Sequence, residues 1–64
     1  MRNLKVDIMI AADRAGYKIT QEELEYLLSK EDLIIRTLSF VDLIYFFIEC
    51  GDNGFNKTIK KYNF

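Results

Sequence analysis

Residues 40–48 read FVDLIYFFI, and this stretch decides the fold because Asp42 is its single charged residue. On a helix, the apolar side chains of the stretch surround the axis. One stripe contains Val41, Ile44, Tyr45 and Ile48, and Leu43, Phe46 and Phe47 fall largely outside it. Because a helix that is apolar all round is buried on several sides, the stretch predicts a central helix with several neighbours.

Flanking residues set the limits of this central helix. Ser39 is a suitable N-cap, and Asp42 places a negative charge in the first turn, where the helix dipole favours it. Gly51 is a natural stop after Cys50. We therefore predict a helix from Phe40 to Cys50.

A capping box predicts another helix upstream. The Thr20 hydroxyl can accept a hydrogen bond from the Glu23 amide, and the Glu23 carboxylate can accept one from the Thr20 amide, so the helix begins at Gln21. Apolar residues then recur at helical spacing: Leu24, Leu27, Leu28, Ile35 and Leu38. Either the helix runs on through Glu31 and Asp32, or Asp32 caps a new turn.

Both ends of the chain are ambiguous. Residues 4–10 alternate between apolar and other side chains, as a strand does, but Asn3 is also a good N-cap for a helix that Gly16 would close. The alanines of this segment favour the helix. Residues 55–64 follow the turn signal at 51–54 and fit either a short basic helix or an edge strand.

We expect one all-α domain over residues 1–64, a compact three-helix domain with a short basic C-terminal tail. A chain of 64 residues is too short for a second domain. The alternative is an α+β fold in which residues 4–10 and 55–62 are paired strands. The predicted core combines the two helical stripes: Leu24, Leu27, Leu28, Val41, Ile44 and Ile48.

The composition argues against catalysis and against cofactors. The chain has no His and a single cysteine, Cys50, so the commonest general base and any multi-cysteine zinc site are absent. We expect Cys50 to be a small core residue near a helix end. We therefore predict no enzyme activity, no metal and no cofactor. The net charge of −1 disfavours nucleic acid as a partner.

Cellular location is predicted from the lack of targeting segments. The most apolar run, residues 38–50, carries two acidic residues and is shorter than the roughly 20 residues that a membrane span needs. The N-terminus has no long apolar core of the kind found in signal peptides. We therefore expect a cytoplasmic protein with no membrane contact. Its excess of Phe, Tyr, Ile, Asn and Lys over Gly, Ala, Arg and Pro is typical of an A/T-rich bacterium, plasmid or phage.

One segment resembles several families. Residues 12–24, ADRAGYKITQEEL, are similar to a helix junction in the nitrogen-fixation-associated leader-peptide family, which implies docking onto modifying enzymes. Residues 19–24 resemble the end of a calcium-binding EF-hand, and residues 8–17 resemble the opening strand and loop of type-B ribose-5-phosphate isomerases. Residues 20–28 resemble the second helix of Cro-type helix-turn-helix repressors, which implies DNA binding. Such varied matches indicate a good helix junction, and we assign the chain to none of these families.

We expect a small non-enzymatic regulator or inhibitor that binds a larger protein. Its aromatic helix would supply the binding energy, and acidic residues at the rim would steer association. The predicted partner-binding residues are Tyr45, Phe46, Phe47, Glu22, Glu25, Glu31 and Asp32. A homodimer is also expected, because a two-fold interface uses one patch twice. The alternative is a degenerate helix-turn-helix regulator or repressor antagonist.

Overall fold

The computed structural model describes residues 2–64 and contains five α-helices joined by short connections. The helices are α1 (Leu4–Ala15), α2 (Gln21–Leu28), α3 (Glu31–Thr37), α4 (Phe40–Asn53) and α5 (Phe55–Tyr62). No residue from 2 to 64 belongs to a β-strand. The all-α prediction is therefore confirmed. The three-helix count is wrong, and so is the alternative with paired strands at residues 4–10 and 55–62.

Helix α1 forms because both of its ends are capped. The Asn3 side chain accepts a hydrogen bond from the Val6 amide at 3.2 Å. Gly16 adopts a left-handed conformation with φ of 73°, which glycine takes up more readily than any other residue. Leu4 and Ile8 are buried on one face of the helix, and the prediction of a helix over residues 4–10 is confirmed.

Residues 21–38 form neither of the two predicted arrangements, which were one continuous helix or a helix followed by a turn that Asp32 caps. Helix α2 ends at Leu28, two linking residues follow, and α3 begins at Glu31. Asp32 is not the cap of α3, because Lys30 occupies that position and provides no side-chain cap. Helix α3 depends instead on tertiary packing, and Ile34 is its one fully buried residue.

The C-terminal segment is helix α5 and not a tail. Helix α4 does not stop at Gly51 as predicted but continues to Asn53, and Gly54 alone separates it from α5. The φ of 95° at Gly54 is a conformation that L side chains rarely adopt, so the chain can turn sharply there. Phe55 and Ile59 then face the core while the lysines of α5 remain exposed, and the segment is stable as an amphipathic helix.

The predicted capping box at Thr20 is present, and the predicted N-cap at Ser39 is part of a second capping box. In the first box, the Glu23 amide donates to the Thr20 hydroxyl at 3.1 Å, and the Thr20 amide donates to the Glu23 carboxylate at 3.2 Å. In the second box, Ser39 and Asp42 exchange the same pair of bonds at 3.2 and 2.9 Å. These bonds satisfy amides at the helix starts that have no partner inside the helix.

Removing the first capping hydroxyl should have a measurable effect. We expect Thr20→Ala to lower the free energy of unfolding by about 1 kcal/mol, because the Glu23 amide loses its acceptor. Thr20→Ser keeps the hydroxyl and serves as the matched control. Urea denaturation followed by circular dichroism measures both variants. Equal losses in the two variants would contradict a capping role for the hydroxyl.

The core lies around α4, which packs mainly against α1 and α5. Phe46 is at its centre. Four other aromatic rings have centroids within 6.4 Å of the Phe46 ring: Phe47, Phe55, Tyr62 and Phe64. The Tyr17 ring stacks on Phe47 at 5.6 Å and connects the link after α1 to the same cluster. Segments that are distant in the sequence therefore meet on one face of α4.

The predicted core was only half correct. Leu24 and Leu27 are buried, as predicted. Leu28 and Ile44 are partly buried against the core. Val41 and Ile48 are 56% and 41% exposed, so their assignment to the core was wrong. The chain buries the other side of α4 because the two phenylalanines on that side remove more apolar surface from water.

Candidate functional site

Helix α4 carries two apolar stripes with the same spacing. The inner stripe consists of Leu43, Phe46, Phe47 and Cys50, and all four residues are buried. The outer stripe consists of Val41, Ile44, Tyr45 and Ile48. Both follow the i, i+3, i+4, i+7 pattern and are offset by two residues, or roughly 200° around a helix. When the inner stripe faces the core, the outer stripe must face away from it.

The outer stripe is left largely uncovered by the rest of the chain. Tyr45 is 61% exposed, and Val41 and Ile48 are also exposed. Ile44 between them is partly buried. No charged residue interrupts the stripe over these two turns. A contiguous apolar patch of this kind is uncommon on a monomer and usually marks an interaction site.

One edge of the outer stripe is polar and lies beside α5. Asp42 and Glu49 are seven residues apart and therefore share this edge. The Glu49 carboxylate accepts hydrogen bonds from the Lys61 ammonium and the Tyr62 hydroxyl, both on α5. These bonds hold the pKa of Glu49 below its usual value. Burial, together with the bond to Glu49, raises the pKa of Tyr62 to about 12.

The other edge of the outer stripe lies toward α1. The Arg14 guanidinium sits over the Phe40 ring, with 5.4 Å between its carbon and the ring centroid. Phe40 is only partly buried and continues the apolar surface at the start of α4. The outer stripe is therefore an apolar strip between two charged borders, which is the usual layout of a protein interface.

The predicted aromatic anchors are divided between the two faces of α4. Tyr45 lies on the outer stripe and is the most exposed large apolar side chain in the described chain. Phe46 and Phe47 are 0% exposed and belong to the core. The prediction that these two rings are surface anchors is wrong, because the chain's own aromatic residues already cover them.

The predicted acidic rim residues are all exposed, but they are not next to the outer stripe. Glu22 and Glu25 lie on α2, which packs mainly on α1 and α3. Glu25 accepts a hydrogen bond from the Gln21 amide at 3.1 Å. Glu31 and Asp32 lie at the start of α3, where Lys30 and Arg36 line the same shallow groove. The structure therefore does not combine these carboxylates with the aromatic helix into one surface.

Two residues of the outer stripe, Val41 and Ile48, were predicted to be buried and are exposed. They were assigned to the core together with Ile44, which is partly buried, because the three residues share one helical stripe. A comparison of side-chain sizes on the two stripes could have identified these residues as exposed. The inner stripe carries two phenylalanines at the same spacing, and the larger rings gain more from burial.

Two other apolar areas of the surface are less continuous. Helix α1 exposes Val6, Met9 and Ile10, and Asp13 ends this group after two turns. A shallow groove between α2 and α5 is lined by Tyr26, Phe55, Asn56, Ile59, Lys60, Asn63 and Phe64. The Tyr26 hydroxyl donates to the Phe64 carbonyl at 2.8 Å, so the chain itself bridges this groove.

Cys50 lies on the inner stripe and is buried, as predicted. Burial raises the pKa of its thiol to about 11, so the reactive thiolate is scarce at neutral pH. Within residues 2–64, no three Cys, Asp or Glu side chains come together as ligands for a metal ion. None of the helices over the same residues has the length and apolar character to cross a bilayer.

Comparisons with protein-family models, with curated proteins and with solved structures found no match to this chain. The outer stripe is therefore assessed on its geometry alone. It is the most continuous apolar surface that the described residues leave open, and it stands on the helix that organises the core. It is our candidate functional site.

Proposed function

We propose that this chain is a non-enzymatic protein-binding module, and that the outer stripe of α4 is its binding surface. The observation that carries the proposal is the exposure of Val41, Tyr45 and Ile48 in an unbroken row. Binding another protein would remove these side chains from water, which contributes favourably to the free energy of association. Tyr45 is the expected anchor, because tyrosine is one of the residue types enriched among those that contribute most to binding energy at interfaces.

The proposed biological role is that of a regulator or inhibitor that acts by association alone. Proteins of this kind need a rigid face and a partner, and they need no catalytic group. The packed aromatic core behind α4 supports rigidity, since Phe46 and Phe47 are held by rings from three other segments. A cytoplasmic location and an origin in a phage or mobile element belong to the same proposal.

A photo-crosslinking experiment tests the binding surface. Benzoylphenylalanine is placed at Tyr45, and the matched control has it at Tyr26, another exposed tyrosine, on α2. Both variants are irradiated in cells that express the chain, and mass spectrometry identifies the adducts. We expect adducts from position 45 and few from position 26. Equal yields at the two positions, or none at either, would refute the proposed surface.

The adduct mass then separates the possible partners. A mass of twice the 7.6 kDa chain identifies a second copy, and any other mass identifies a different protein. Either result supports the outer stripe as a protein interface. Adducts at position 45 that form in an untreated lysate, but not in a lysate treated with nuclease before irradiation, would instead indicate a nucleic-acid-dependent complex and overturn the proposal.

A second proposal is a degenerate helix-turn-helix regulator or repressor antagonist. The observation that favours it is the pair of short helices α2 and α3, which are joined only by Ser29 and Lys30. The first turn of α3 holds Glu31 and Asp32, and these carboxylates would repel DNA phosphates. Antagonism of a repressor by protein contact therefore suits the chain better than DNA binding does.

A further inference from the structure

We propose that the partner on the outer stripe is a second copy of this chain, bound antiparallel about a two-fold axis that passes between Ile44 and Tyr45. This inference rests on the proposed function, since it uses the same face as a protein interface. It goes further by naming the partner and the register of the two helices.

The spacing of the outer stripe supports this symmetry. Its four residues, at positions 41, 44, 45 and 48, have intervals that read the same from either end. In an antiparallel pair centred between residues 44 and 45, Val41 of one copy lies opposite the partner's Ile48. Ile44 then lies opposite the partner's Tyr45. Every large apolar side chain of the stripe therefore meets another one, as helix packing requires.

Charge along the edge beside α5 supports the antiparallel direction. Asp42 lies near the start of this edge. Lys61, on α5, contacts the same edge two turns further along, where its ammonium donates to Glu49. A two-fold axis between antiparallel helices places this edge beside the same edge of the partner, running in the opposite direction. Lys61 then lies near the partner's Asp42 along the helix axis. By symmetry, Asp42 lies near the partner's Lys61. The Lys61 side chain is 67% exposed, and its ammonium, which donates one hydrogen bond to Glu49, has two further N–H donors for a second carboxylate.

Helix dipoles also favour this direction. In the proposed register, residue 40 of one α4 lies level with residue 49 of the other, and over these overlapping turns the two helix dipoles point in opposite directions and attract each other. The interface would be small, because α4 has 14 residues and only two of its turns carry the stripe. We therefore expect a dissociation constant on the order of 10–100 μM, weaker than for an interface of standard size.

Cysteine crosslinking tests the direction and the register together. The variants Val41→Cys and Ile48→Cys are prepared separately. Each variant alone, and an equimolar mixture of the two, is then treated with oxidised glutathione. In the antiparallel dimer, the two different cysteines face each other. Cysteines of the same variant are seven residues apart along the axis, or about 10 Å, which is too far for a disulfide. The native Cys50 is buried and stays out of the reaction.

We expect the mixture to form a disulfide-linked dimer at least ten times faster than either variant alone. Glu22→Cys, on the exposed surface of α2, is the control for random collisions and should crosslink slowly both alone and in mixtures. Faster crosslinking of each single variant than of the mixture would indicate parallel helices and overturn the register. Equal rates in all samples, the Glu22→Cys control included, would overturn the dimer on this face.

Light scattering on the unmodified chain provides the second measurement. The measured mass should rise from that of one chain toward that of two as the protein concentration increases. Tyr45→Asp should weaken this self-association at least tenfold. Circular dichroism should show that the Tyr45→Asp variant is still folded. A mass of one chain up to about 1 mM would overturn the dimer. If the crosslinker at Tyr45 still captured a different protein, the proposed function would stand without the dimer. An unchanged dimer in Tyr45→Asp would show that the copies meet elsewhere.

Discussion

Replacing Phe46 with Ala should lower the free energy of unfolding by about 3–5 kcal/mol, the largest single effect that we expect in this chain. The Phe46 ring is fully buried at the junction of α4 and α5, and four other rings contact it. Its removal leaves a cavity and ends those aromatic contacts. A domain of this size has a total stability of only a few kcal/mol, so the variant should be largely unfolded at room temperature.

Tyr45→Ala is the matched control for this prediction, because it removes a neighbouring aromatic ring from the opposite face of the same helix. The Tyr45 side chain is exposed, so we expect a change of less than about 1 kcal/mol in the monomer. Circular dichroism and urea denaturation of dilute protein would compare the two. A well-folded Phe46→Ala with a loss below that of Tyr45→Ala would refute the packing of α4 described above.

The second large effect is expected at Ile34, the residue that holds α3 in place. Helix α3 has seven residues and no side-chain N-cap, and Ile34 is its single fully buried side chain. We expect Ile34→Ala to lower the free energy of unfolding by about 2–5 kcal/mol. Because so little else anchors α3, its amides should exchange with solvent before those of α1 and α4 in native-state hydrogen exchange.

Ile10→Ala is the control for Ile34→Ala, because it makes the same chemical change at an exposed position of α1. Its stability should change by less than about 0.5 kcal/mol, since little apolar surface is uncovered there. Hydrogen exchange in α3 should also remain as it is in the unmodified chain. Equal losses of stability in the two variants would contradict the role of Ile34 as a buried anchor.

Local signals predicted the starts of α1, α2 and α4. The caps at Asn3, Thr20 and Ser39 lie where the side chains predicted them, because a capping bond depends on residues only three positions apart. Helix ends were predicted less well. Gly16 ended α1 as expected, but Gly51 did not end α4, which continues for three residues beyond Cys50, to Asn53, before Gly54 separates it from α5.

The candidate site was not assigned from the sequence, because α4 carries two apolar stripes with the same helical spacing and the larger side chains of the inner stripe were not weighed. Helical spacing shows that both exist, and it correctly indicates a helix that is apolar all round. Which stripe is buried depends on rings supplied from elsewhere, namely Tyr17 after α1 and Phe55 and Tyr62 on α5. The sequence did not decide whether residues 55–62 form a helix or a strand, so the positions of Phe55 and Tyr62 relative to α4 could not be predicted.

The amino-acid sequence by itself determined the helical class, the capped starts of α1, α2 and α4, and the central position of α4. Each of these follows from interactions between residues a few positions apart. Only the tertiary structure decided that Phe46 and Phe47 face inward while Val41, Tyr45 and Ile48 face outward. The physical reason is that burial is a property of the assembled chain. The aromatic residues of α5 and of the link after α1 cover one side of α4, and the other side is left largely uncovered by the described residues.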